Sequence, residues 1–118
     1  MAKIMIVDDS LFMRNHLEKL LGECGYETVL AEDGEQAIKL YAMARPDIVL
    51  MDITMPKVNG LIALHEIRRS DKTAKVIMLT AMDEHMMAKC AVRLGARDFL
   101  MKPVKPDTLL ATLEKMLK

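Results

Sequence analysis

Five polar positions stand where short apolar runs end, and together they could build one phosphoryl site. Ile4-Met5-Ile6-Val7 leads into Asp8-Asp9, and Ile48-Val49-Leu50-Met51 leads into Asp52. Val76-Ile77-Met78-Leu79 leads into Thr80, and Phe99-Leu100-Met101 leads into Lys102-Pro103. If these runs are parallel strands, Asp8, Asp9, Asp52, Thr80 and Lys102 share the carboxyl edge of one sheet. Open α/β sheets bind their ligands there.

Each residue type has a chemical reason to be in such a set. Three neighbouring carboxylates repel one another and raise each other's pKa. A hard divalent cation relieves that repulsion, and oxygen ligands of this kind suit Mg²⁺. The competing role for Asp8-Asp9 is to cap the following helix beside Ser10, and the topology that adds Asp52 favours the metal. Lys102 supplies a compensating cation. It precedes Pro103, and an X-Pro bond adopts the cis form far more readily than others; a cis bond would turn the Lys side chain back over the sheet edge. Lys105-Pro106 is a rival pair, but it stands further from the strand end and reads as the start of the last helix. Thr80 adds a hydroxyl as the first polar residue after a buried run. In this arrangement Asp52 would attack phosphorus in line and become an aspartyl phosphate. Mg²⁺ and Lys102 would neutralise the transferred oxygens, since such catalysis is mostly positioning and charge stabilisation.

The elements that must position these residues are legible in the pattern. A fifth run, Glu27-Thr28-Val29-Leu30-Ala31, ends in the acidic turn Glu32-Asp33-Gly34. Between the runs lie helical periodicities. Ser10 can cap a helix from about Leu11 to Cys24, with Met13, Leu17, Leu20, Leu21 and Cys24 on one face. Gly25 fits the left-handed position past its end. Gly34 opens a second helix that buries Ala37, Ile38 and Tyr41, and Arg45-Pro46 stops it. A third runs from about Leu61 to Ser70. A fourth runs from about Glu84 to Leu94, with Met87, Ala91 and Leu94 on one face. A fifth begins at Asp107 and buries Leu109, Leu110, Leu113, Met116 and Leu117. Strict strand–helix alternation predicts a five-stranded parallel sheet, doubly wound, with helices on both faces. The runs from Ile4, Ile48 and Val76 are the most apolar and should be central, buried on both sides.

Bulk properties agree with one ordinary domain over residues 1–118. Aromatics make up only 3% of the chain and Trp is absent, so Leu, Ile, Val and the twelve Met must fill the core. Met suits irregular gaps, although Met82, Met86 and Met87 could instead form a partner surface. Lys and Arg number 17, as do Asp and Glu, and no basic run stands out; nucleic acid is not an expected partner. The apolar runs are too short to span a bilayer. The chain starts directly in a strand pattern, so no signal peptide is expected. Cys24 and Cys90 lack metal-like spacing and are expected to be buried free thiols in a reducing cytoplasm.

The order of these residues resembles the receiver domains of two-component response regulators, over the whole chain. Asp52-Ile53-Thr54-Met55-Pro56-Lys57-Val58-Asn59-Gly60 is similar to the family's Asp-x-x-Met-Pro-x-x-x-Gly phosphorylation loop. Asp33-Gly34 with Ala37 fits its turn into the second helix, and Leu11-Phe12-Met13-Arg14 is most similar to the family's single-domain chemotaxis regulators. The resemblance implies a flavodoxin-like strand order of 2-1-3-4-5. It implies that Asp52 is the phosphoacceptor, and that Asp9, Asp52 and the Thr54 backbone carbonyl bind Mg²⁺, with Asp8 acting largely through water. Thr80 would be the switch hydroxyl and Phe99 the switch aromatic, remodelling the surface of the fourth helix, fifth strand and fifth helix. Phe99 lacks the hydroxyl of the Tyr often found there.

The implied partners are a histidine kinase as phosphodonor, a target such as the flagellar motor switch, and a phosphatase; the implied state is a cytoplasmic monomer. A phosphorelay carrier and the receiver of a longer regulator are the alternatives within the family. Outside it, an aspartate-nucleophile phosphatase would need a second acid two residues after Asp52, where Thr54 stands. A flavin carrier would need a phosphate-cradling first loop, and Asp8-Asp9 would repel that phosphate. A receiver-like module that is never phosphorylated would be expected to lack an acid or the Lys.

Overall fold

A computed structural model describes residues 1–55 and 57–118. Pro56, part of the loop noted above, lies outside the described residues. Strands β1 (Lys3–Val7), β2 (Glu27–Ala31), β3 (Ile48–Asp52), β4 (Val76–Thr80) and β5 (Asp98–Met101) alternate with helices α1 (Leu11–Glu23), α2 (Gly34–Ala44), α3 (Gly60–Ser70), α4 (His85–Arg93) and α5 (Pro106–Leu117). A single 3₁₀ turn, Met82–Glu84, precedes α4. All strand pairings are parallel and the order is β2-β1-β3-β4-β5. The three most apolar runs occupy the centre, as their composition requires.

Alternation along each strand sorts the core into two layers. Met5, Val7, Val49, Met51, Val76 and Met78 face one side, with Ala37 and Tyr41 of α2, Leu64 and Ile67 of α3, and Ala88 and Ala91 of α4. Ile4, Ile6, Ile48, Leu50, Ile77 and Leu79 face the other, with Leu17 and Leu21 of α1 and Leu109 and Leu113 of α5. The sheet is therefore dry on both faces, and a polar residue can reach water only where a strand ends. Side-chain caps fix where the helices begin. Ser10 Oγ accepts from the Met13 amide at 3.3 Å, Asp33 Oδ1 from the Gln36 amide at 2.9 Å, and Asn59 Oδ1 from the Ile62 amide at 3.0 Å.

Two expectations need correction. Cys24 and Cys90 are both exposed. Cys24 is the C-cap that ends α1, so it no longer continues the helix's apolar face. In α4 the buried positions are Ala88 and Ala91, whereas Met87 and Leu94 stand 36% and 42% exposed. The helix turns its small residues toward the sheet and its long ones outward. Met82 and Met86 are likewise exposed, while Met5, Met51, Met55 and Met78 fill the core.

Candidate phosphoryl and metal site

The carboxyl ends of β1, β3, β4 and β5 bring the expected residues together. Asp8 follows β1 and is buried. Its Oδ1 accepts from the Ser10 amide at 2.9 Å, and its backbone carbonyl accepts from Arg14 Nη1 at 2.7 Å. Asp9 beside it is exposed. Asp52 closes β3 and is only 4% exposed. Asp8, Asp9 and Asp52 each offer a carboxylate oxygen, all within 4.8 Å of one another.

Lys102 reaches into this cluster. Its Nζ donates to Asp52 Oδ1 at 2.9 Å and lies 3.6 Å from Asp8 Oδ2. The Lys102-Pro103 bond is cis. The Lys102 amide donates to the Thr80 carbonyl at 2.8 Å, which joins the ends of β4 and β5. Thr80 is fully buried, and its hydroxyl donates to the Ala81 carbonyl at 3.1 Å. Phe99 is half-buried against the α2–α3–α4 layer, with His85 edge-on at 6.0 Å between ring centres.

The electrostatics are those of an overcrowded anionic pocket. Burial pushes the Asp52 carboxyl up to about 6. Asp8 and Asp9 add to that rise, and Lys102 opposes it. For Lys102 burial works against the charge, but the hydrogen bond and charge of Asp52, with Asp8 nearby, leave its pKa above the usual lysine value. One cation thus serves two buried carboxylates. Asp8 Oδ2 is buried with no hydrogen-bond partner, and the 3.6 Å separation from Lys102 is too long to supply one. Buried polar atoms are almost always satisfied. An orphaned carboxylate oxygen facing two others is what a hard cation with oxygen ligands would complete.

Residues 4–114 match the family model for the response regulator receiver domain. The chain belongs to that family. This receiver domain is 44% identical over 119 residues to the chemotaxis protein CheY of Listeria monocytogenes, with the whole of both chains covered. Among solved structures, a response regulator receiver domain protein from Clostridium thermocellum is similar with a TM-score of 0.94 and 28% identity, covering 98% of this chain and 94% of that one. A CheX–CheY–BeF3–Mg complex from Borrelia burgdorferi is similar with a TM-score of 0.92 and 33% identity, covering 99% and 90%. A receiver domain belongs to two-component signalling, and this chain is a signalling protein rather than a turnover enzyme.

Two residues with parts in this receiver's site carried no role in the sequence reading. Arg14 is buried although charged, fixing the Asp8 backbone and lying 4.0 Å from Glu32; an Arg one position from the predicted apolar stripe of α1 was the available signal. Glu84 spans two loops through Thr54 and Ala81. Its signal was the three-residue spacing from Ala81, just past the end of β4, the spacing at which a Glu reaches back to a helix N-terminus.

Proposed function

We propose that this receiver is a phosphorylation-activated switch in which Asp52 accepts a phosphoryl group from a histidine kinase. The observation that carries this reading is the Lys102–Asp52 pair inside the carboxylate cluster. A buried carboxylate is held at the sheet edge, with one oxygen bonded to a cation. Mg²⁺ fits the same cluster, with Asp9, Asp52 and the Thr54 carbonyl as ligands and Asp8 one shell out; when bound it would offset the charge of the incoming phosphoryl group. Asp52 Oδ forms the bond to phosphorus as the donor's bond breaks, and the donor imidazole leaves with the electron pair. Lys102 holds a phosphoryl oxygen once Asp52 has given up its hydrogen bond to Lys102. Positioning and charge stabilisation carry the step.

The output follows from where the phosphoryl group would sit. Thr80 shares its backbone with β4, whose neighbour β5 carries Phe99 against His85 of α4. A Thr80 hydroxyl drawn toward a phosphorylated Asp52 would vacate space for Phe99, biasing a two-state surface on α4, β5 and α5. Full-length similarity to a chemotaxis CheY supports a chemotaxis target such as the flagellar motor switch, with a phosphatase to reset it. This reading puts a monomeric single domain in the cytoplasm. No described helix is long and apolar enough to cross a membrane.

The test is intact mass after incubation with Mg²⁺ and acetyl phosphate, beside Asp52→Asn. One added phosphoryl group in the wild type, absent from the variant and lost with time, is the expected result. Addition of equal extent to Asp52→Asn would move the acceptor elsewhere. Met82 gives a second, smaller prediction. It is two residues past Thr80 and 81% exposed, an apolar side chain that offers water no strong acceptor. A carboxylate there can hold the attacking water, and one hydrogen bond of about 1 kcal/mol corresponds to roughly fivefold in rate. Met82→Glu is expected to shorten the phosphoryl lifetime by about that factor, and an unchanged decay would remove Met82 from the water path.

A further inference from the structure

Glu84 connects the two loops that flank Asp52. Thr54 stands two residues after Asp52, in the loop from β3 to α3, and its hydroxyl donates to Glu84 Oε2. The other oxygen, Oε1, accepts from the Ala81 amide at 2.8 Å, and Ala81 directly follows Thr80. Strands β3 and β4 are neighbours, with Asp52 opposite Leu79. One carboxylate therefore ties the chain just past Asp52 to the chain just past Thr80. Ile53, Met55 and Thr80 are anchored in the interior, and the tie acts on the exposed chain beside them. Thr54, Met82 and Asp83 are exposed, and none of the three belongs to a core layer.

At 4% exposure Asp52 offers a narrow approach to a donor that must bring phosphorus in line to roughly 3–3.5 Å, so movement of the neighbouring chain would ease the reaction. We propose that Glu84 is a positioning residue that latches the two loops together in the free protein, and that its release admits first the phosphodonor and later water. The inference rests on Asp52 being the phosphoacceptor. With acetyl phosphate, Asp52 Oδ bonds to phosphorus as the bond from phosphorus to the acetyl oxygen breaks, and acetate leaves with the electron pair. On loss, a water oxygen bonds to phosphorus, the Asp52–phosphorus bond breaks with its pair returning to the carboxylate, and the water proton leaves with phosphate or solvent. The same opening eases both steps, so a weaker latch accelerates both.

The experiment measures uptake from acetyl phosphate with Mg²⁺, then decay after the donor is removed, by intact mass. Glu84→Ala and Thr54→Val each cut the tie and are expected to raise both rates roughly three- to tenfold, the effect of losing about one net hydrogen bond. The double variant should be no faster than either single one, because both remove the same link. Glu84→Gln can still accept from Ala81 and donate to Thr54, and it should return both rates most of the way to wild type. Wild-type rates in both single variants, additive effects in the double, or acceleration of only one step would each overturn the latch. If Glu84→Ala fails to fold for loss of its reach back to Ala81, Thr54→Val alone decides. Absence of uptake by the wild type itself would instead overturn the assignment of Asp52.

Discussion

Gly60→Ala should destabilise the protein by about 3 kcal/mol or more, the upper end of what over-packing costs, and should impair phosphoryl uptake in whatever still folds. A Cβ at Gly60 would stand 2.1 Å from the Asp52 carbonyl oxygen and 2.9 Å from the Ile53 Cα. Both neighbours are backbone, so no side-chain rotation relieves the contact. The Gly60 amide donates to the Ile53 carbonyl at 2.7 Å, drawing the first turn of α3 onto the end of β3. The helix start and the proposed phosphoacceptor thus share one close approach, and moving either moves the other. Gly22→Ala is the internal control. It lies in α1 with nothing within 4 Å of its would-be Cβ, so it should stabilise by roughly 0.5–1 kcal/mol through helix propensity. Urea denaturation of the three proteins distinguishes the cases. A Gly60→Ala midpoint equal to wild type, with unchanged slope, would show that the contact is absent in solution.

The Gly60 contact marks the boundary of what the sequence could reveal. The family motif placed a glycine at position 60 after Asp52, but only the fold shows that a carbonyl oxygen occupies the place of its side chain. The strands were legible because a sheet covered on both faces needs unbroken apolar runs, and Ile4–Val7, Ile48–Met51 and Val76–Leu79 provide them. The ends of those runs then named Asp8, Asp52 and Thr80. The faces of the helices were harder to read. In α4 the apolar pattern put Met87 and Leu94 on one face with Ala91, whereas the helix buries Ala91 together with Ala88 against the sheet. Hydrophobicity counts area and so overlooks the small residues that allow close packing. Cys24 failed for a related reason: its periodicity continued the α1 stripe one residue beyond the point where the helix ends. Glu84 and Arg14 were missed because a polar side chain's partner is chosen by distance in space, and Thr54 lies 30 residues from Glu84.

In the absence of divalent cations, the protein should lose stability as pH rises from about 4 to about 7, and Asp52→Asn should abolish most of that loss. Burial, with Asp8 and Asp9 behind it, raises the folded Asp52 pKa to about 6, against about 3.9 in an unfolded chain. Between those values the folded state binds more protons than the unfolded state, so stability falls with pH. The contribution of Asp52 is fully present below pH about 4 and is lost as pH rises through about 6. A shift near two units amounts to about 3 kcal/mol. Two other groups fall outside this window. Asp71 is held down to about 2, first by the Thr73 hydroxyl and then by Tyr41, so its stabilisation is lost only on acidification below about 4. Lys102 is raised above its ordinary value, so its share is lost only at alkaline pH. Mg²⁺ should reverse the trend, because ionised carboxylates bind it and protonated ones do not. At a hundredfold excess over its dissociation constant, a cation bound only by the folded state adds about 2.7 kcal/mol. That increment should be near full at pH 7.5, small at pH 5, and largely lost in Asp9→Ala. Thermal unfolding at both pH values, with and without Mg²⁺, measures all of it. An Mg²⁺ increment that is equal at both pH values, or retained in Asp9→Ala, would place the metal away from the cluster.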